Sequence, residues 1–255
     1  MTLVQKTVFE NADIRQIEVS DAWEVRVVAD SANSYVEVEY SAYLEPYLKT
    51  KMEGTKLKIG FTGNVYPAIN SVFRAIVHTG KIEKIEASEA SRLNFFGHFA
   101  ATSDTLHIGL DDASMCSGLD YSGHICNISI EDASHFLDFH LSGYNCEVKA
   151  SDASTCKGIF DMSWHFGVEL GSASQLVTFG GGAPYNTIKL QDASLLNMAQ
   201  SDMHEAFVDL SGASEATVKV DGMIEGSARD SSTLYLMGNP ENNIDCDESS
   251  SVIPL

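Results

Sequence analysis

Residues 145–164, NCEVKASDASTCKGIFDMSW, contain one unit of the repeat that decides the fold of this chain. The Ala-Ser pair inside this unit recurs in register at seven positions, with a first step of 23 residues and five further steps of 20. A degenerate copy, Ser231-Ser232, follows after 18 residues. The pairs begin at Ala90, Ala113, Ala133, Ala153, Ala173, Ala193 and Ala213. A constant step of this kind is the signature of a repeat array.

Strand-like alternation surrounds each Ala-Ser pair. Before the pair, apolar residues alternate with polar or small ones, as in Ile128-Ser129-Ile130 and Val148-Lys149-Ala150. After the pair an apolar or small residue returns, as at Phe136 and Cys156. A period of two places one side of the chain in the interior and the other in water. Each repeat is therefore predicted to hold a strand, a tight corner and a second strand.

The length and pattern of the repeat fit one coil of a parallel β-helix. Leucine-rich repeats share the length, but their Leu/Asn ladder is missing. In a β-helix, equivalent residues of successive coils stack about 4.8 Å apart, so each coil buries its inward side chains against its neighbours. Parallel crossovers favour a right-handed winding. We predict an all-β fold, a right-handed parallel β-helix with coils of about 20 residues, in which the corner serines form a hydrogen-bonded column.

The chain outside the repeats is expected to close the two ends of the coil stack. Residues 1–80 lack the period and are predicted to form an irregular β cap, with a short helix at residues 41–48. A cap is expected because an uncovered sheet end is an aggregation edge. The repeats then occupy residues 81–236, and residues 237–255 form a polar C-terminal tail.

The charge of the chain restricts its partners. The 255 residues carry a formal charge of −20, with 11 basic and 13 acidic residues in 1–92 but 5 basic and 23 acidic residues in 93–255. Nucleic acids and anionic membranes are poor candidates, because both need clustered basic residues. No stretch approaches the ~20 apolar residues of a membrane-spanning helix. The first nine residues lack the basic start and apolar run of a secretory signal.

The N-terminal pattern carries a resemblance to a known family. The segments IEV (17–19), WEV (23–25), YVEV (35–38), YLEPYL (43–48) and GTKLKI (54–59) precede IEKIEASEAS (82–91) and the recurring Ser-Gly-Ala-Ser or Asp-Ala-Ser corners. This series resembles the "auto-transporter adhesin, head GIN domain" family, common in Bacteroidetes, over residues 8–236. The resemblance implies a secreted or cell-surface protein, in the periplasm or on the cell surface, with an adhesin-like role and no catalytic residues.

Two features of this sequence depart from that family. Its members usually begin with an export signal, which the sequence does not show. The glycine of the family's Ser-Gly-Ala-Ser corner survives only in residues 211–214, and Asp or Glu usually replaces it.

The residue before each Ala-Ser pair forms a largely acidic column that includes Asp112, Asp132 and Asp152. Stacked carboxylates repel one another unless something compensates for their charge. The favoured explanation is that each Asp caps its own corner by accepting the N–H two residues on. The alternative is a Ca²⁺ ion between stacked oxygens, which the chemistry of this cation allows. Ser172 and Gly212 interrupt the ladder, so no cofactor is predicted, and Ca²⁺ at Asp112, Asp132 and Asp152 stays the alternative.

Cysteines provide a second set of stacked residues. Cys126 and Cys146 lie one coil apart with the same inward parity, close enough for a disulfide, although a buried thiol ladder is the preferred interpretation. Cys116 and Cys156 lie two coils apart and are too far from each other to pair. No Cys-x-x-Cys spacing indicates zinc.

Aromatic and histidine residues collect on the corner of the coil opposite the Ala-Ser pairs. A row of exposed rings along a solenoid is suited to gripping an extended ligand. The competing interpretation is that the rings shield the loop edge of the core. The candidate ligand-binding residues are His124, Tyr144, Trp164, His165, Tyr185 and His204.

These observations favour a binding protein over an enzyme. Asp111-Asp112 and Gly123-His124 faintly resemble pectin-degrading β-helix hydrolases, but the basic substrate-clamping motif of those enzymes is missing. We therefore predict a non-catalytic, adhesin-like protein that presents a β-helical face to a glycan or to a host or partner protein. The alternative is a structural or assembly component of the cell envelope, and a polysaccharide-active enzyme is the third candidate. An exposed aromatic row favours the first, and a row packed against another copy favours the second.

Overall fold

Alternating strands and tight corners wind this chain into an all-β solenoid of about nine turns. A computed structural model describes residues 2–255. The N-terminal strands are β1 (Leu3–Val8), β2 (Gln16–Val19), β3 (Glu24–Ala29), β4 (Tyr35–Ser41), β5 (Leu48–Glu53), β6 (Lys56–Phe61) and β7 (Phe73–Thr79), with a 3₁₀ helix at Ala42–Tyr47.

The repeats contain thirteen further strands, and the C-terminal segment adds two. They are β8 (Lys84–Ala87), β9 (Arg92–Phe96), β10 (His98–Ala100), β11 (Thr105–Leu110), β12 (Met115–Ser117), β13 (Asp120–Ser122), β14 (Ile125–Ile130), β15 (His135–Ala150), β16 (Thr155–Leu170), β17 (Gln175–Leu190), β18 (Leu195–Leu210), β19 (Glu215–Ala228), β20 (Thr233–Met237), β21 (Glu241–Cys246) and β22 (Ser251–Pro254).

The register of the long strands follows the 20-residue repeat. Strands β14 to β18 pair in parallel, and Val148 is the partner of Ile128 on one side and of Val168 on the other. The same column continues through Ile188 to Val208. These side chains are buried, and the burial of each one stabilises the folded state by about 1.5–3 kcal/mol. The parallel β-helix predicted from the repeats is confirmed.

Each corner is a two-residue turn in the left-handed backbone region. Asp132 and Ala133 have φ of 49° and 58°, and the N–H of Ser134 donates to the carbonyl oxygen of Glu131 at 3.1 Å. Two consecutive left-handed residues define a type I′ turn. The N–H of Ala133 donates to the carbonyl oxygen of Asp152 at 2.8 Å, so each corner is also tied to the next coil.

The buried serines follow the corners as predicted. Ser114 donates its hydroxyl to the carbonyl oxygen of Ala87 at 2.9 Å and lies 3.4 Å from the hydroxyl of Ser134. Ser154 and Ser174 instead donate back to the carbonyl oxygens of their own corners, both at 2.6 Å. Most hydroxyls of the column therefore find partners inside the protein, as burial of a polar group requires, but within residues 2–255 the buried Ser91 hydroxyl has no hydrogen-bond partner.

The N-terminal strands continue the parallel stacking beyond the repeats. β2 pairs in parallel with both β6 and β8, and β3 pairs in parallel with β7 and β9. Asp21 and Ala22 form a first left-handed corner, in which the N–H of Ala22 donates to the carbonyl oxygen of Glu89. Antiparallel strands β1, β4 and β5 lie outside this coil and make the N-terminal end irregular.

The C-terminal segment also joins the solenoid. β21 pairs in parallel with β19, and β22 pairs in parallel with β20. The segment expected as a polar tail therefore forms strands, and the boundaries at residues 80/81 and 236/237 stay predictions. Within residues 2–255, no helix is long and apolar enough to span a bilayer.

Candidate functional site

The aromatic row lies on the outside of the solenoid, where successive coils repeat the same position. The ring centroids of His124 and Tyr144 are 5.1 Å apart with planes 14° from parallel. Those of Tyr144 and Trp164 are 6.1 Å apart and 3° from parallel. Tyr144 is 41% exposed and Trp164 is 46% exposed. The structure therefore brings these three predicted residues together on an accessible surface, which we call the aromatic stripe together with Tyr185.

The stacking of the stripe determines what it offers to a partner. Parallel rings at coil spacing turn their faces toward one another along the stack. The outward surface of His124 and Tyr144 therefore consists of ring edges and polar tips. The stack changes at Trp164, whose ring meets Tyr185 at 4.5 Å with an angle of 54° between the planes. Because Trp164 is already parallel to Tyr144, this tilt leaves the Tyr185 ring as the one without a parallel neighbour in the pair.

Two predicted residues lie outside the stripe: His165 is less exposed than Tyr144 and Trp164, and His204 lies further along the solenoid. His165 is half-buried beside the stripe, where its Nε2 lies 3.1 Å from the Thr187 hydroxyl and its Nδ1 lies 3.3 Å from Glu147 Oε1. His204 is exposed, and its Nδ1 lies 2.8 Å from Asp221 Oδ1. Pro184 occupies the position between Trp164 and His204 and interrupts the row of rings.

A shallow depression of about 480 Å³, which the sequence repeat does not predict, lies at the end of the stripe. Its polar lining comes from different coils: Asp161, Gln200, Asp202, His204 and Asp221. Its floor includes Gly181 and Gly182, at a register irregularity where Gly158 pairs with Thr178 but Phe160 pairs with Gly181. The extra residue breaks the count of 20, so sequence spacing alone does not align Asp161 with Asp202.

The predicted acidic column is present but works differently from the expectation. The N–H of Ser134 bonds the Glu131 carbonyl rather than the carboxylate of Asp132, so the expected side-chain cap is wrong at this corner. The backbone turn itself satisfies that N–H. Asp fits the first position for another reason, since its short polar side chain tolerates the left-handed region.

The carboxylates that come together near these corners are Asp111, Asp112 and Asp132, with oxygens within 4.8 Å of one another. Asp152 does not belong to this group, and Asp111 was not among the predicted ligands. A hydrogen bond shared with Asp111 raises the pKa of Asp132, and burial and the charges of neighbouring aspartates raise it further. All three side chains are exposed, so the cluster could hold a hard cation such as Ca²⁺ but is also common without one.

A third polar group resembles a hydrolase triad in its connectivity. His98 Nε2 lies 3.0 Å from the Ser122 hydroxyl, and His98 Nδ1 lies 3.1 Å from Asp120 Oδ1. Acyl transfer also needs donors for the oxyanion. The N–H of Gly123, which follows the serine, already donates to the carbonyl oxygen of Ser142. His98 and Asp120 are half exposed, and the arrangement fits a polar cross-strand stack.

Four cysteines are buried as free thiols in the core. Cys126 and Cys146 are register partners on adjacent coils, as their spacing predicts. Burial raises the pKa of the Cys146 thiol, and its hydrogen bond with Cys126 adds to this effect. The Cys146 thiol therefore stays protonated and unreactive at neutral pH. Cys116 and Cys156 flank Phe136 on either side, which keeps them two coils apart.

Comparison with known proteins places this fold in a family. The family model described as "Putative auto-transporter adhesin, head GIN domain" matches residues 13–240. The chain belongs to this head GIN domain family. The predicted family resemblance is thereby confirmed, and an adhesin family is typical of exported or surface proteins rather than enzymes. No curated protein matches the chain.

Solved structures of low sequence identity share the solenoid of this head GIN domain protein. The "putative adhesin" from Parabacteroides merdae superposes with a TM-score of 0.74 at 11% identity, covering 99% of this chain and 96% of that one. The "putative adhesin" from Parabacteroides distasonis gives 0.72 at 14%, covering 100% and 97%. A "Putative lipid binding protein" from Parabacteroides distasonis gives 0.67 at 15%, covering 99% and 96%. At these identities the likeness shows the fold alone.

Proposed function

We propose that this protein is a non-catalytic, adhesin-like binding protein of the exported or cell-surface class, which presents the aromatic stripe to a glycan or to a host or partner protein. The observation that supports this proposal is the exposure of Tyr144 and Trp164, at 41% and 46%, on a rigid parallel scaffold. Tyr and Trp combine a large apolar surface with a polar tip, and they are enriched where proteins bind their partners.

The rigidity of the scaffold supports the same proposal. Parallel pairing joins β15 to β16 and β16 to β17 on both sides of the stripe, and the rings of Tyr144 and Trp164 stack on each other, so the rings are held in place before a ligand arrives. Little conformational entropy is then lost on binding. The carboxylates around the stripe disfavour an anionic partner.

A binding screen tests this function. The purified chain is tested against host glycans and extracellular-matrix proteins, with and without calcium because of the Asp111–Asp112–Asp132 cluster. The Trp164→Ala/His165→Ala variant is tested beside it, and Phe207→Ala, which removes another exposed ring, serves as the matched control. We expect specific binding that the double variant loses and the control retains, with all proteins melting normally.

Other outcomes of the screen lead to different conclusions. Binding that survives in the double variant would keep the adhesin-like function and reject the stripe as its site. Binding to none of the glycans or proteins would favour the structural or assembly role in the cell envelope.

A further inference from the structure

We propose that the depression beside the aromatic stripe is a subsite for an uncharged sugar or an amino sugar, and that it excludes acidic sugars. This inference rests on the proposed function and specifies the class of glycan. The depression and the tilted Trp164–Tyr185 pair adjoin each other through Pro184, which lines the depression and occupies the stripe position after Trp164. One oligosaccharide can therefore contact both.

The charge of the depression decides between classes of sugar. Asp161, Asp202 and Asp221 contribute three carboxylates to its lining. The ammonium group of Lys219 lies 2.6 Å from Asp202 Oδ1, so this neighbouring cation is already paired. A uronate, sialate or sulfate group brought here would face a net negative charge, because three carboxylates have one neighbouring lysine, and this is unfavourable at short range. A protonated amino group would be attracted.

The polar groups in the lining match the hydroxyl groups of a sugar. Carboxylate oxygens accept hydrogen bonds from hydroxyls, and the Gln200 amide both donates and accepts. His204 adds a ring nitrogen, held by the contact of its Nδ1 with Asp221. Such groups replace the hydrogen bonds that a sugar loses when water is displaced.

The backbone of the depression leaves room for the ligand. Gly181 and Gly182 have φ of 75° and 139°, and the Cβ atoms of alanines there would approach the carbonyl oxygens of Phe160 and Asp202 to 2.1 Å. The glycines therefore permit the close packing of coils at this irregularity and add no side chains to the floor. The ring faces near Trp164 supply the apolar contact that one face of a pyranose prefers.

The test compares neutral, cationic and anionic oligosaccharides of the same length. The probes are oligomers of N-acetylglucosamine, glucosamine and galacturonate, and calorimetry measures binding to the full chain. We expect the first two to bind and galacturonate to bind about tenfold more weakly or not at all. Asp161→Arg is expected to reverse this preference toward galacturonate. Asp192→Arg, at a corner that does not line the depression, should keep the wild-type preference.

The outcomes distinguish this inference from the proposed function. Preferential binding of galacturonate by the wild type, or an unchanged preference in a folded Asp161→Arg variant, would overturn the subsite. Binding of matrix proteins alone, lost in the Trp164→Ala/His165→Ala variant, would keep the adhesin-like function and reject the sugar subsite. No binding of any sugar or protein would reject both.

Discussion

At the scale of single residues, the solenoid depends on corners with two residues in the left-handed backbone region, the second of which is usually alanine. The second residue is alanine at eight corners and serine at the ninth: Ala22, Ala90, Ala113, Ala133, Ala153, Ala173, Ala193, Ala213 and Ser231. An L-residue in this region costs roughly 1–2 kcal/mol. The corners are therefore sites of stored backbone strain, offset by the hydrogen bonds that tie each corner to the next coil.

Ala153→Gly should relieve this strain at one corner. Glycine removes the left-handed cost but loses more entropy on folding, so we expect the free energy of unfolding to rise by about 0.5–1 kcal/mol. Urea denaturation measures the change. Ala150→Gly, in the neighbouring strand, should lower stability. Destabilisation of both variants to the same degree would show that the corner alanine is not strained.

Asp132→Asn should stabilise the protein at neutral pH. Hydrogen bonding with Asp111, burial and neighbouring aspartates raise the pKa of Asp132, so its ionised form is disfavoured in the folded protein. This penalty is present above the folded pKa and disappears as the pH falls through it. Asparagine keeps the left-handed corner without the charge.

Thermal melts at pH 7 and at pH 3 test the Asp132 prediction. The gain from Asp132→Asn should be small but measurable at pH 7 and should vanish at acid pH. Asp192→Asn is the matched control, because Ser172 and Gly212 replace its acidic neighbours in the column. An equal gain in the control would assign the effect to the amide rather than to relief of repulsion.

At the scale of strands and turns, register irregularities shape the candidate site. The irregularity between β16 and β17 places Gly181 against Phe160 and opens the depression. Strands β15 and β16 carry Tyr144 and Trp164 on neighbouring coils, and both residues lie in the register shift between the Gly143–Met162 and Asn145–His165 pairs. Register irregularities therefore lie at the stripe as well as at the depression beside it.

Gly181→Ala should disrupt this irregularity. A Cβ atom there would approach the Phe160 carbonyl oxygen to 2.1 Å in a left-handed conformation, so we expect a loss of about 2 kcal/mol or more. Gly171→Ala is the control, since nothing lies within 4 Å of its Cβ position, and it should change stability by less than about 0.5 kcal/mol. Chemical denaturation of both variants measures the difference, and equal stabilities would contradict the assignment.

Much of the strand and turn structure could be predicted from the sequence, and the features that could not be predicted have physical causes. The constant step predicted the coils because stacking keeps most strand residues in register, and it predicted the stripe because the spacing of 20 returns where Asn145 pairs with His165. The corner at Asp21-Ala22 could not be predicted from the repeat, because Trp23 follows it where the repeats have serine. The depression was missed because the register irregularity at Gly181 offsets residues that meet across coils.

At the scale of the whole molecule, charge is distributed unevenly along the solenoid. The N-terminal part pairs its bases, as where Lys56 lies 3.1 Å from Glu86 and 3.2 Å from Glu18. The remainder carries a net −18 with few bases to compensate. Self-repulsion of this size opposes the compact state.

Salt should therefore stabilise the protein. Screening at 0.5 M NaCl reduces repulsion between exposed carboxylates more than it weakens the fewer ion pairs. We expect a higher melting temperature than at 10 mM NaCl. Calorimetry at the two concentrations measures the shift, and a lower melting temperature at high salt would show that attractive pairs dominate.

The two tryptophans allow the most direct test of the stripe as a binding surface. Trp164 is 46% exposed, whereas Trp23 is buried in the N-terminal core. Oxidative labelling of both residues is measured with and without saturating N-acetylglucosamine oligosaccharide or collagen. We predict that one of these probes lowers the labelling of Trp164 severalfold, while Trp23 stays unlabelled throughout. Binding that leaves the labelling of Trp164 unchanged would contradict the central claim.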